Sequence, residues 1–260
     1  LVVTLEALKE MHLTPEDIQL IQNDTKTCPD TGMAGASRSL YMDGNATIIA
    51  ANKLLAAMRK EDGTLRTYDE MKAEGIETKY LGRYETNTTP GLCRLDPNTG
   101  IGDPTPAFTY CLNLAEVEVD TKTGKTTVLK FTCVDFVGRI GNIDAVNGQA
   151  YSGIMHGIGF ALKEDYADVK KHANMFGAGT SYIKDVPDDI NLIHIDGAIS
   201  DGPFGSSGAS EAFQASGHCA VLNGIYNACG VRIHEIPALP EKVKAGLDAI
   251  AKGEKPYEPK

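Results

Sequence analysis

Leu112-Asn113-Leu114-Ala115-Glu116-Val117-Glu118-Val119-Asp120, followed by Thr121-Lys122-Thr123-Gly124-Lys125 and then by Thr126 through Val137, is the stretch on which the fold turns. Between Leu112 and Asp120 apolar residues alternate with acidic ones, the two-residue period of a strand with one face buried. The next five residues are turn formers, and Thr126 to Val137 returns as a second strand, so the segment predicts a β-hairpin. After it the period changes. From Asp144 to Glu164 the apolar positions Ile154, Ile158 and Leu162 fall at helical spacing, and Gly148, Gly153, Gly157 and Gly159 interrupt them. An interior glycine costs a helix about 1 kcal/mol, so this concentration implies that something approaches the backbone closely. A hairpin leading into a long helix predicts an α/β (α+β) protein with mixed sheets and packed helices.

Working outward, Leu5, Leu8 and Met11 lie at helical spacing, and Thr14-Pro15-Glu16-Asp17 reads as a capped helix start with proline at its first position. Ile18, Leu20 and Ile21 then read as a strand that empties at Asn23-Asp24-Thr25 into a loop reaching Ser39. Asn45 to Met58 is helical, with Ala46, Ala50, Ala51, Ala56 and Ala57 permitting close packing. From Lys60 to Pro106 charged residues, glycines and Pro90, Pro97, Pro104 and Pro106 dominate, which reads either as a boundary between two lobes, about 1–105 and 106–260, or as an excursion from a single domain. A Gly/Ser loop, Asp201 to Ser210, runs into a helix from Glu211 to Cys229. The tail carries a helix from Glu241 to Ala251 and a solvated end.

With 35 acidic against 25 basic residues the net charge is -10, which argues against a nucleic-acid or anionic-membrane partner. The richest apolar run, Ile48 to Met58, is too short to span a bilayer and is broken by Asn52 and Lys53. The chain begins at Leu1 without a basic or apolar leader and reads as an excised piece with no signal peptide. Cys28, Cys93, Cys111, Cys133, Cys219 and Cys229 have no zinc-ligand spacing, so they read as buried thiols of a cytoplasmic protein.

Two loops share a design: Gly32-Met33-Ala34-Gly35-Ala36-Ser37-Arg38-Ser39 and Gly205-Ser206-Ser207-Gly208-Ala209-Ser210-Glu211. Small residues let backbone N–H groups face an anion, and a following helix adds the positive end of its dipole. Neither loop is a P-loop or a dinucleotide fingerprint. Each is near a serine-hydrolase elbow but lacks its closing glycine, which leaves nucleophilic Ser37 or Ser210 as an alternative. Glu211 stands out among the acids. Burial beside Phe204 and Phe213 would disfavour its charge while a helix N-terminus would favour it, the setting of a general base. Gln149 offers an amide that can donate and accept at a heterocycle edge.

Taken in order, several stretches resemble the molybdenum hydroxylases, the xanthine dehydrogenase and aldehyde oxidase family. They are Asn23-Asp24-Thr25, Pro29-Asp30-Thr31-Gly32, Ala36-Ser37-Arg38-Ser39, Val134-Asp135-Phe136-Val137-Gly138 leading to Gly148-Gln149, Gly208-Ala209-Ser210-Glu211, Gly230-Val231-Arg232-Ile233 and Leu239-Pro240-Glu241-Lys242-Val243. The likeness is greatest to the aldehyde oxidoreductases of anaerobic bacteria that carry molybdopterin cytosine dinucleotide. It implies the second, C-terminal molybdopterin-binding domain of such an enzyme. Ala34, Gly35, Ala36, Ser37 and Arg38 would lie along the pterin and pyrophosphate. Gln149 would hydrogen-bond the pterin, Ser207, Gly208, Ala209 and Ser210 would contact the cofactor near molybdenum, and Glu211 would be the active-site base. Many relatives have glycine where this chain has Ser210. Molybdenum would be held through the pterin rather than by a side chain.

The implied reaction hydroxylates an aldehyde to a carboxylic acid with oxygen from water. A hydroxylase of N-heterocycles such as purines is the alternative, and a cofactor-binding module inactive in isolation is another. Implied partners are the N-terminal half of the molybdenum-binding region and an iron–sulfur domain or subunit with [2Fe-2S] clusters. The intact enzyme would be a homodimer.

Overall fold

The computed structural model describes residues 1–22, 24–86, 94–103 and 105–255. Asn23, Pro90, Cys93, Pro104 and the last five residues of the tail lie outside them. The chain divides into two units. The first is Leu1–Phe108, Val137–Asn142 and Asp196–Gly208, and the second is Thr109–Phe136, Ile143–Ile195 and Ala209–Lys260. A single cut near residue 105 follows only the first crossing, because the chain re-enters the first unit at Val137 and again at Asp196.

In the first unit, α1 (Val2–Ala7) packs on α2 (Ser39–Met58) through Leu8, Ala51 and Leu55, with Met11, Leu13 and Leu65 around them. Thr14 and Asp17 form the expected capping box, but on a single 3-10 turn, Pro15–Asp17. The strand expected at Ile18 to Ile21 does not form. Leu20 and Ile21 are exposed, and no described strand pairs with them, so an apolar run alone does not satisfy a strand's backbone groups. α2 starts six residues before the alanine-rich segment that signalled it and buries Tyr41, Gly44, Ala51, Leu55 and Met58. Thr67 caps α3 (Tyr68–Ala73) reciprocally with Glu70. The unit also contains a short antiparallel pair, β1 (Arg94–Leu95) and β2 (Gly102–Asp103).

The second unit is built on the hairpin. β3 (Tyr110–Val119) and β4 (Thr126–Phe136) pair antiparallel with a bulge at Glu116/Val117. The pleat puts Leu112 and Leu114 on the same face as Glu116 and Glu118, so both leucines are exposed while Ala115 is buried. α4 (Ile143–Leu162) follows, then α5 (Met175–Ala178) and β5 (Asp189–His194), which pairs parallel with β4 and gives the mixed order β3-β4-β5. The expected helix from Glu211 to Cys229 is two helices, α6 (Ser210–Ala215) and α7 (Gly217–Cys229), broken at Ser216. Asn113 Nδ2 donates to Ser216 Oγ at 2.9 Å and holds the break to the sheet. α8 (Pro240–Ala251) closes the core formed by Ile225, Val231, Ala238 and Val243.

The glycines of α4 are explained by its neighbours. A Cβ on Gly153 would lie 2.8 Å from the Phe213 carbonyl carbon, and one on Gly157 would lie 2.8 Å from Gly217 Cα. One on Gly159 would meet the Glu164 carboxylate at 2.2 Å. The close approach that the sequence implied at these three positions is therefore made by the chain itself. Gly148 differs, since a Cβ there would meet nothing within 4 Å. Gly157→Ala should destabilise the chain by about 1–3 kcal/mol, the scale of an overpacked core. Gly148→Ala should stabilise it by about 0.5–1 kcal/mol through helix propensity alone. Urea unfolding of both variants checks the pair.

Candidate functional site

The sites are built separately in the two units. In the first, residues Thr31 to Gly35 run without regular structure into a turn at Ala36 and Ser37, directly before α2. Ala36 and Ser37 both have positive φ, 54° and 53°. Two adjacent non-glycine residues in the left-handed region cost about 1–3 kcal/mol each, and such strain concentrates at functional sites. Arg38 is exposed and donates from Nη2 to the Met33 carbonyl at 2.6 Å, while its amide donates to the Gly35 carbonyl at 3.3 Å. The N-cap residue Arg38 makes no side-chain capping hydrogen bond to α2, and the first turn carries no acidic residue. Its N-terminal N–H groups and the dipole behind them suit an anion.

The second Gly/Ser loop belongs to the same unit as far as Gly208. It is held at several points. Ser207 N–H donates to the Val137 carbonyl at 3.0 Å, Ser206 Oγ donates to the Arg139 carbonyl at 2.6 Å, and Ser200 Oγ donates to the Ser206 carbonyl at 2.6 Å. Ser206 and Ser207 are buried. A Cβ on Gly208 would lie 2.5 Å from the Ser37 carbonyl oxygen, so the two loops that the sequence singled out touch at Ser37 and Gly208. Beside the first loop, a cleft of about 520 Å³ is lined by Met33, Ala34, Arg38 and Met42 on one side and by Gly82 and Tyr84 on another. Its size is that of a small-molecule or cofactor cleft. The wall is braced by Tyr41, which is buried, donates to Asp201 Oδ1, and receives a 3.3 Å hydrogen bond from Tyr84. Burial, first, and then the Asp201 carboxylate push the Tyr41 hydroxyl far above the ordinary tyrosine range.

In the second unit, Ala209 precedes α6, and Ser210 and Glu211 form its first turn. Glu211 is exposed, and Ser210 Oγ donates to Glu211 Oε2 at 3.2 Å. The burial expected from its aromatic neighbours is absent. Phe213 is fully buried beneath α4 and points away from solvent, and Phe204, in the first unit, is itself exposed. Gln149 is exposed in the second turn of α4.

One constellation was missed by sequence reasoning. Asp135, on β4, is buried with Oδ2 2.6 Å from His194 Nδ1, and His194 Nε2 lies 2.8 Å from Asn147 Oδ1 on α4. Burial raises the Asp135 carboxyl above its usual range, and His194 opposes the rise. Cys111 and Cys133 lie beside it with their sulfurs 3.4 Å apart. Of the described cysteines, only Cys133 is buried and Cys219 is exposed. The available signal was the alternation of Ile190, Leu192 and His194, which sets an ionisable ring on the inward face of a strand.

A protein family described as a molybdopterin cofactor-binding domain matches residues 2–187. The aldehyde oxidoreductase of Megalodesulfovibrio gigas is 43% identical over 244 residues, which are 94% of this chain and 27% of that protein. The crystal structure of the aldehyde oxidoreductase from Desulfovibrio desulfuricans ATCC 27774 superposes with a TM-score of 0.87 at 45% identity, covering 94% of this chain and 26% of that one. Aldehyde oxidoreductase from Desulfovibrio gigas superposes with a TM-score of 0.89 at 42% identity, over 95% of this chain and 27% of its own. The chain thus spans about a quarter of the length of these relatives. Among the described residues no helix is long and apolar enough to cross a membrane.

Because the contact at Gly208 is to backbone, Gly208→Ala must displace the turn at Ala36 and Ser37. Amide chemical shifts of residues 35–38 should move and stability should fall by about 1–3 kcal/mol. Shifts confined to residues 206–210 would show that the loops are independent.

Proposed function

Because the chain belongs to the molybdopterin cofactor-binding domain family, we propose that it forms part of a molybdenum-dependent aldehyde oxidoreductase and holds the cofactor for hydroxylation of a small aldehyde to its acid. The observation that carries the reading is the meeting of the strained Ala36–Ser37 turn with Gly208 in front of the N-terminus of α2. A cradle of small side chains with backbone N–H groups behind it fits an anionic pterin and pyrophosphate. The bound cofactor supplies two-electron oxidation with water as the source of oxygen.

This chain's residues would then act as follows. Ala34, Gly35, Ala36 and Ser37 offer backbone groups and a hydroxyl to the pterin and pyrophosphate, and Arg38 offers a guanidinium whose present partner is a neutral carbonyl. Ser207 and Gly208 border the same cradle in the first unit. In the second unit, Gln149 donates and accepts through its amide, Ala209 and Ser210 contact the cofactor, and Glu211 accepts a proton at its carboxylate. Ser210, already hydrogen-bonded to Oε2, orients that carboxylate. We assign the cofactor as the cytosine dinucleotide form and the enzyme as a cytoplasmic homodimer. The N-terminal half of the molybdenum-binding region and [2Fe-2S] clusters would come from other domains or subunits.

The test uses the enzyme assembled with its remaining polypeptide. Glu211→Gln should leave molybdenum content nearly unchanged while aldehyde oxidation falls by roughly 10²-fold or more, the scale of a lost general base. Activity that survives this change would place the base elsewhere. The 260-residue chain alone should bind the cofactor poorly and turn over little. Covalent labelling of Ser37 or Ser210 by a fluorophosphonate would favour the hydrolase alternative instead.

A further inference from the structure

The hydrogen bonds of His194 join three elements of the second unit. Asp135 on β4 and His194 at the end of β5 are direct partners in the parallel ladder, which continues as Ile195 N–H donates to the Asp135 carbonyl at 2.8 Å. From there the ring spans from Asp135 Oδ2, at 2.6 Å, to Asn147 Oδ1, at 2.8 Å. Asp135 Oδ1 has no hydrogen-bond partner among the described residues, so the imidazole is the group that compensates this buried carboxylate. The far end of the bridge lies in the exposed first turns of α4. Ile143, Asp144, Ala145, Gly148 and Gln149 are all exposed, and the first buried residue of α4 is Ala150. Gly148 weakens this turn and packs on nothing that a Cβ would reach. A poorly packed helix end opens locally unless a side chain ties it down.

We infer that His194 is a positioning residue: anchored by Asp135, it ties Asn147 to the sheet and so fixes the turn of α4 that presents Gln149. The functional half of this inference rests on the reading that Gln149 holds the cofactor. The tether itself does not.

Amide hydrogen exchange on the whole 260-residue chain tests the tether. Asn147→Leu, which removes the oxygen facing the ring at similar volume, should speed exchange of residues 147–151 by about tenfold, the scale of one lost hydrogen bond. Asn147→Asp keeps an oxygen acceptor and should stay near wild type. The double substitution Asp135→Asn, His194→Phe leaves no buried charge and should match Asn147→Leu. Exchange in β3 and β4 should hold throughout in the Asn147 variants. Unchanged exchange at residues 147–151 in Asn147→Leu, or acceleration spread equally over the hairpin, would overturn the tether.

In the assembled enzyme, Asn147→Leu should shorten the time for which molybdenum is retained during gel filtration, and Asn147→Asp should restore it. Loss of retention in Gln149→Ala without any loss in Asn147→Leu would refute the positioning role. Full retention in Gln149→Ala would count against Gln149 as a cofactor ligand, while the exchange result decides the tether separately.

Discussion

The approach of Gly157 to Gly217 governs the second unit. With no side chain on either residue, α4 and the start of α7 meet backbone to backbone, and the same geometry recurs one turn earlier where Gly153 lies against Phe213 and Gln214. The spacing of the two contacts is four residues on each partner, about 6 Å of helix, so they seat α6 and the head of α7 on α4 as one surface. The break at Ser216 falls between these two contacts. The head of α7 makes the second of them at Gly217, and two turns further along Gly224 packs over Val117 and Ala115 on β3. Glu211 therefore begins a short helix whose opposite face is fixed by a fully buried Phe213, leaving the carboxylate exposed.

The first unit combines close packing with strain: a Cβ on Gly82 would lie 1.8 Å from the Ala46 carbonyl oxygen, and Ala36 and Ser37 both hold positive φ. Its two loops meet where Ser37, within the left-handed turn at Ala36 and Ser37, occupies the space that a side chain on Gly208 would need. The second loop is pinned to Val137 and Arg139 by hydrogen bonds from Ser207 and Ser206, which gives the turn a rigid surface to lean on. Rigidity of this kind is what a cofactor site requires, since a cradle of backbone groups binds only if the chain does not have to be ordered afresh.

Much of the fold was legible because its signals are local. Thr121 to Lys125 reads as a turn from its own residues, and the helical period of Ile154, Ile158 and Leu162 needs only the helix itself. The misreadings have tertiary causes. Ile18 to Ile21 has strand composition but no described strand beside it, and Leu112 and Leu114 look like core until the pleat aligns them with Glu116 and Glu118. β5 is only six residues long, with Asp189, Asn191 and His194 among three apolar residues, and its ladder with β4 makes it a strand. The candidate site divides the same way. Small residues at Ala34 to Ser37 and at Ser207 to Ser210 announced backbone-lined loops, whereas Asp135, His194 and Asn147 are scattered along the chain, and nothing local to any of them announces the others.

The sequence by itself determined the residue chemistry: a hairpin, glycine-bearing helices, two small-residue loops ahead of helices and an acid at the start of one of them. Periodicity and composition act over a few residues, and a few residues suffice to read them. Only the tertiary structure decided that Ser37 meets Gly208, that the glycines of α4 receive α6 and α7, that Glu211 is exposed and that His194 bridges a buried carboxylate to the turn before Gln149. Each of these rests on a contact between residues distant in sequence. Burial and packing create its energy, and no segment possesses either until the others have folded around it.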